Sequence, residues 1–287
     1  MTEVWSQWPA PAKLNLFLHI IGRRADGYHL LQTVFQLLDW GDTVRLRVRN
    51  DGVISRTSAL PGIPAESDLT LRAARALRER TGTSLGAEID VDKRIPQGAG
   101  LGGGSSDAAT VLVALNQLWG TGLSDDALAD IGLGLGADVP VFVRGHSAWA
   151  ENIGERLTPV PLPPRNYVIL DPGVKVSTAA LFQASELTRN SPRMTISDFH
   201  TGTCTANAFA PVMRVRYPQV AAALDWLGQY GEARLSGSGG CVFAAMDSVE
   251  AAETVLRDCP PMFAAYRVMG VNRSLLLDAL DNFRARL

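Results

Sequence analysis

Between Gly98 and Ser106 the chain reads GAGLGGGSS, five glycines and two hydroxyls, and after Asp107 comes a long uncharged run, AATVLVALNQLW. Just upstream, Ala87 to Val91 (AEIDV) alternates as a strand. The order strand, glycine-rich loop, charge-free and therefore buried helix narrows the folds open to this chain more than any other feature. Glycine loses more backbone freedom on ordering than any other residue, so a loop this rich in it has to gain something that bare backbone provides. Backbone N–H groups stripped of side chains curl around an anion, and the helix N-terminus behind them adds partial positive charge. A polyphosphate suits such a cradle; a tight helix entry with no ligand is the plainer alternative.

Two known nucleotide-binding schemes compare with this loop. A Walker loop ends in GK followed by Ser or Thr, and no GK dipeptide occurs in the chain. A dinucleotide fingerprint wants GxGxxG after the first strand of a βαβ unit and an acidic residue about 20 positions on. Gly98, Gly100 and Gly103 satisfy the letters and Asp125 lies near that distance, so this alternative stays open on spacing. Gly104 to Asp107 make a different object, with Ser105 and Ser106 hydroxyls for phosphate or Mg²⁺ and a carboxylate in the first helical turn. Asp107 there also serves as a simple partner of the helix dipole.

At 287 residues the chain is long enough for about two domains, each with a core of its own. Its 27 basic and 29 acidic residues leave a net charge of −2, and no global basic field recruits nucleic acid. Lys13, Lys93 and Lys175 are the only lysines, so a lysine inside a motif stands out. Cys204, Cys241 and Cys259 are widely spaced with no CxxC pair, which predicts reduced thiols and no structural metal. The opening MTEVWSQWPA has neither a secretory pattern nor a transit-peptide composition. The longest uncharged stretch, Ala108 to Ser124, is interrupted by Asn116, Gln117, Gly120 and Gly122 and falls short of a membrane span. A cytoplasmic protein without a membrane partner is expected.

Lys13 to Ile21 (KLNLFLHII) and Val44 to Arg49 (VRLRVR) alternate and predict strands. Arg45, Arg47 and Arg49 then share a face, which the usual polar-out pattern assigns to solvent rather than to phosphate. Leu69, Ala73 and Leu77, with a Ser-Asp start and Gly82 behind, predict a helix over 67–80. Ser124 caps another helix, which gives way through Gly134 and Gly136 to ADVPVFV, a short apolar run read as a strand. TPVPLPPRN, from Thr158 to Asn166, holds four prolines and reads as a linker, dividing the chain into 1–160 and 161–287. Beyond it, strands are predicted at 167–170 and 264–271, helices at 219–230, 248–258 and 274–287, and a strand-turn-strand over 233–246 around SGSGG. There is no internal repeat and no low-complexity tract.

Two further islands carry chemistry. In PAKLNLFL, Lys13 and Asn15 sit two apart on an alternating strand and so project to one face. A buried strand holds a lysine at high cost unless it meets an anion, whereas a lysine at a strand entry can reach solvent. In GADVPVF, Asp138 directly precedes the apolar run, where a carboxylate is a cap or turn residue as readily as a reactive one.

PAKLNLFL, DGYHLLQT, IPQGAGLGGGSSDAA, LGADVPVF and RLSGSGGCVF together resemble the GHMP kinase superfamily over essentially the whole chain. The glycine loop alone matches only the superfamily; PAKLN with DGYH and GADVPVF is far more selective. The resemblance implies an α+β, two-domain fold, with an N-terminal ribosomal-protein-S5-like α/β domain, a C-terminal ferredoxin-like α+β domain and the active site in the cleft between them. It implies ATP as donor, with Mg²⁺ carried on the nucleotide, and the 2-hydroxyl of 4-diphosphocytidyl-2-C-methyl-D-erythritol as acceptor, in the methylerythritol phosphate route to isoprenoid precursors. Another small-molecule kinase of the superfamily is the alternative. Position by position, Pro96, Gln97, Gly98, Ala99, Gly100, Leu101, Gly102, Gly103, Gly104, Ser105 and Ser106 would hold the ATP phosphates, and Lys13 and Asp138 would be the catalytic pair. Asn15, Tyr28, His29, Thr178 and Phe182 match substrate-binding positions, and Gly237, Ser238 and Gly239 a glycine turn that packs near the loop.

Tyr28 and Phe182 suit stacking on cytosine, at roughly 1–3 kcal/mol per stack, and the His29 ring nitrogens suit a pyrimidine edge. Without the resemblance the first two would pass as core aromatics and His29 as a surface turn residue. Two departures stand out. Asn152 occupies a place where relatives often carry glycine, tolerable because Asn adopts left-handed geometry. Gly240 stands where a small side chain is common, which predicts a looser turn.

Overall fold

Two long antiparallel strands, β1 (Ser6–Arg23) and β2 (His29–Arg49), frame the protein in its computed structural model, which describes residues 4–58, 62–203 and 205–286. Both outrun the predicted segments because each passes from one hydrophobic core into the next and is buried along most of its length. β3 (Ile54–Arg56) runs parallel to β4 (Gly86–Asp92), with α1 (Leu69–Thr81) between them in the chain. Helix α1 starts on Asp68, whose side chain accepts from the Thr70 N–H, and stops at Gly82 in left-handed geometry. Arg45 and Arg47 on β2 pair with Asp90 and Glu88 of β4, surface ion pairs contributing at most about 1 kcal/mol each.

Helix α2 (Gly103–Leu118) is buried at every position from Ser106 to Leu115. Each Leu or Val there removes from water a side chain whose burial contributes roughly 1.5–3 kcal/mol. The helix begins at Gly103, so Asp107 lies beyond the first turn and inside the protein, not at the helix mouth as expected. The run after Asp138 also departs from expectation. α3 (Asp125–Leu133), capped by Ser124, is followed by a short helix, α4 (Val139–Arg144), instead of a strand. Pro140 presets helical backbone in its first turn, Gly145 closes it in left-handed geometry, and the apolar run packs on α2 and α3. β5 (Ala148–Asn152) and β6 (Arg156–Pro159) form a hairpin against β2, with Asn152 at φ 63°. The proline-rich connection is therefore shorter than predicted, residues 160–165.

β7 (Asn166–Asp171) opens the second half. It is followed by α5 (Thr178–Phe182), α6 (Ile196–His200), α7 (Ala210–Arg216), α8 (Pro218–Leu227), β8 (Arg234–Leu235), β9 (Val242–Met246), α9 (Val249–Asp258), β10 (Ala264–Val271) and α10 (Leu275–Arg284). The strands join in the order β3-β4-β2-β10-β7-β9-β8, with β1 and β5 also paired to β2. β10 meets β2 only at Gly270 opposite Leu38 and Val271 opposite Leu37, a narrow seam between the halves. Helix α10 then crosses back, placing Leu276 and Leu280 in the core built on α1 and α2. Cys241 and Cys259 are free thiols, and Cys204 lies outside the described residues. No helix of the described residues is long and apolar enough to cross a membrane.

Candidate active site

Gly98, Gly100 and Gly102 all have positive φ, at 69°, 76° and 77°. At Gly100 the need for glycine is strict, because a Cβ would lie 2.0 Å from the Ser236 carbonyl oxygen. The loop backbone rests directly on the SGSGG turn between β8 and β9. Ser236 Oγ donates to the Gly100 carbonyl (3.0 Å) and accepts from the Asn15 N–H (3.3 Å), while the Cys241 N–H donates to the Ala99 carbonyl (3.1 Å). The looser turn predicted at Gly240 is not found. A Cβ there would sit 3.0 Å from the Val174 oxygen and 3.2 Å from Ala99 Cα, so the turn is closely packed and a methyl group would need its backbone neighbours to give way.

Lys13 and Asn15 share a face of β1, as alternation requires. Lys13 Nζ donates to Asn15 Oδ1 (2.5 Å) and to the Gly100 carbonyl (2.8 Å) and lies 3.4 Å from Asp138 Oδ2. The lysine is only 2% exposed, a position an ammonium tolerates because oxygens meet its donors. Asp138 stands at the N-cap of α4 yet makes no side-chain cap bond; its carboxylate turns to Lys13 and stays a third exposed.

These groups line one end of a cleft of about 740 Å³, and the other end carries Tyr28, His29, Thr178 and Phe182. The turn before β2, held by the Tyr28 N–H donating to Asp26 Oδ1 (3.2 Å), leaves Tyr28 on the rim at 60% exposure. His29 is no surface residue: it is 8% exposed, with its ring stacked on Phe182 at 4.7 Å and 21°. Burial first, then the charges of Arg189 and Arg23, hold its pKa below the ordinary histidine value. Thr178 Oγ1 and Ser238 Oγ hydrogen-bond at 2.7 Å.

The glycine loop separates this cleft from a second cavity of about 340 Å³. Gly98, Gly100, Gly102 and Ser105 line both; Pro96, Gln97, Ala99, Leu101, Gly103 and Gly104 line only the second. Ala99 and Leu101 point into the core and offer the second cavity little beyond backbone. Ser106 lines neither. One residue past Ser105 is about 100° around the helix, and its hydroxyl is buried without a partner.

A cluster that no sequence motif marks ties the two ends of the loop together. Asp42 Oδ1 accepts from the N–H groups of Arg94 (2.5 Å) and Ile95 (2.7 Å). Lys93 Nζ donates to Asp42 and, at 2.7 Å, to Asp107 Oδ2. The scarcity of lysine was the available signal, since Lys93 immediately precedes the loop. Burial pushes Asp107 up to about 7 against the opposing charge of Lys93, with Asp42 adding to the rise. Burial works to lower Lys93, but Asp107 and Asp42 outweigh it and hold the ammonium above its usual range.

A carboxyl raised from 3.8 to about 7 costs nothing below its unfolded value and weakens the fold progressively as pH rises towards about 7. Thermal unfolding of the wild type between about pH 4 and pH 7 should therefore show a declining component that Asp107→Asn abolishes. An identical pH profile in that variant would rule out Asp107 as its source.

Two family profiles match the chain: GHMP kinases N terminal domain over residues 68–146 and GHMP kinases C terminal over residues 184–263. A 4-diphosphocytidyl-2-C-methyl-D-erythritol kinase of Xanthomonas campestris pv. campestris (strain B100) is 59% identical over 278 residues, covering 96% of this chain and 94% of that one. One from Halorhodospira halophila (strain DSM 244 / SL1) is 57% identical, covering 96% of each. Among solved structures, a 4-(cytidine 5'-diphospho)-2C-methyl-D-erythritol kinase superposes with a TM-score of 0.80 at 32% identity, covering 93% of this chain and all of the other. A homoserine kinase from Cytophaga hutchinsonii, at 19% identity and a TM-score of 0.71, shares the fold. With both halves matched in order and relatives of this identity spanning nearly the full length, the chain belongs to the GHMP kinases, in the branch of the 4-diphosphocytidyl-2-C-methyl-D-erythritol kinases.

Proposed function

We propose that this protein transfers the γ-phosphoryl group of ATP to the 2-hydroxyl of 4-diphosphocytidyl-2-C-methyl-D-erythritol, giving ADP and the 2-phosphate, in the supply of isoprenoid precursors. The observation that carries this is a single cleft with Lys13 and Asp138 at one end, aromatic rings at the other and the glycine loop as a wall. The relatives named above act, by their names, on that acceptor. Residues 1–160 would hold the nucleotide and 161–287 complete the acceptor site through Thr178 and Phe182.

In this assignment the loop from Pro96 to Ser106 cradles the phosphates with backbone N–H groups and the α2 terminus. The acceptor lies in the larger cleft, its cytosine against Tyr28, His29 and Phe182 and its hydroxyl beside Asp138. An aliphatic alcohol is about as weak an acid as water (~15.7) and an ordinary carboxylate lies near ~3.9, a gap worth about 16 kcal/mol. A carboxylate base therefore orients the hydroxyl and takes its proton late, as a loose phosphoryl-transfer transition state allows. Lys13, fixed by Asn15 and Gly100, steadies Asp138 and the charge on the transferred oxygens.

Magnesium carried on the phosphates would neutralise their charge. The partnerless oxygens of Ser106 and Asp107 suit an oxygen-seeking ion, and the described residues hold no cluster of three or more His, Cys, Asp or Glu side chains for a metal of another kind. ATP consumption should require the diphosphocytidyl acceptor; equal consumption with homoserine or mevalonate would overturn the assignment. Pyrimidine derivatives should compete for the cleft better than a purine analogue, and equal competition would count against the ring pocket.

A further inference from the structure

Arg189, in the chain segment between α5 and α6, reaches the His29 ring and the backbone carbonyl of Phe182 at the acceptor end of the cleft. Its Nε donates to His29 Nε2 at 3.3 Å. Its terminal nitrogens donate to the carbonyls of Phe182 (2.9 Å), Ala184 (2.6 Å) and Leu187 (3.1 Å), at and just beyond the C-terminal end of α5. One rigid fork thus fastens the first residue of β2 to the helix that carries Phe182, on which the His29 ring is stacked.

A guanidinium has five donors and no acceptor. Nε2 of His29 must therefore offer its lone pair, and the ring proton of the neutral imidazole sits on Nδ1. Among the described residues no hydrogen bond is made to Nδ1, and His29 lines the cleft.

We propose that Arg189 is a positioning residue for base selection: by engaging Nε2 it fixes His29 as an Nδ1–H donor, matched to a pyrimidine whose ring N3 is an acceptor. Cytosine presents such an acceptor, whereas uracil carries a hydrogen on N3 and would set donor against donor. A site built around a fixed donor rejects the analogue that leaves it unpaired. The lowered His29 pKa agrees, because it keeps the ring neutral.

This inference rests on the assignment of the ring end of the cleft to the base. Three measurements separate the two. Heteronuclear NMR of the wild-type protein is expected to show His29 protonated on Nδ1 alone; protonation on Nε2 overturns the inference without any variant. Comparing kcat/KM for the cytidine substrate and its uridine counterpart is expected to show preference for cytidine, and absence of any preference in the wild type sinks the base assignment itself. In Arg189→Met the imidazole is free to exchange tautomers, so that preference should fall by about tenfold or more, a change of about 1.4 kcal/mol. Arg189→Lys, which keeps the charge but not the fork, should also lose preference. A variant that binds both substrates more weakly by the same factor, with Nδ1–H retained, shows only a structural role and overturns the inference.

Discussion

Lys13→Met is expected to reduce turnover by about 10²- to 10⁴-fold while nucleotide binding survives. The methionine keeps most of the aliphatic stem in a position only 2% exposed, while the ammonium, 5.5 Å over the Phe35 ring, is removed. What disappears is the charge that sits between Asp138 Oδ2, Asn15 Oδ1 and the Gly100 carbonyl. Asp138→Ala should fall by a similar factor, because the hydroxyl then lacks both its orienting acceptor and its proton sink. The two residues touch, so the double variant should lose much less than the product of the single losses. Nucleotide binding is retained in this expectation because the loop holds phosphate by backbone donors, which neither substitution removes. Calorimetric titration of ATP beside steady-state turnover separates the two effects; near-normal turnover in both single variants would remove the pair from catalysis.

Gly100→Ala is expected to destabilise the protein by about 2–5 kcal/mol and to abolish most activity in what remains folded. At φ 76° an alanine bears a left-handed backbone penalty of about 1–2 kcal/mol. Its Cβ would also lie 2.0 Å from a backbone oxygen of Ser236, which cannot swing away as a side chain tip does, adding about 1–3 kcal/mol of overpacking. The displaced loop would carry off the carbonyl that anchors Lys13. Gly82→Ala is the control: it has φ 70° and nothing within 4 Å of the added carbon, so only the backbone penalty should appear. Chemical denaturation of both variants decides, since equal losses would mean that contact with Ser236 contributes nothing.

The strands at 264–271 and 86–92, the helices α8, α9 and α10 and the caps at Ser124 and Gly82 were legible because periodicity and turn chemistry are local signals, whereas the short helices α5, α6 and α7 are too brief to show a period. The apolar run of α4 is too short for a period to distinguish a buried helix from a strand, and burial on α2 and α3 makes it a helix. Helix α2 starts at Gly103, ahead of its uncharged run, which carries Asp107 past the first turn, and the partners of Asp107, Lys93 and Asp42, lie 14 and 65 residues away in the chain. Arg189 gave no sequence signal at all, being one of 24 arginines.

By itself the sequence determined the glycine loop, the pairing of Lys13 with Asn15 on one strand face and the family that carries such motifs. These are properties of neighbouring residues, set by backbone freedom and by the two-residue repeat of a strand. Tertiary structure alone brought Asp138 within 3.4 Å of Lys13, laid the loop on the Ser236 turn and set Arg189 against His29. Those contacts join residues 125, 136 and 160 positions apart, and a hydrogen bond depends on where the fold delivers its donor and acceptor, which no local pattern encodes.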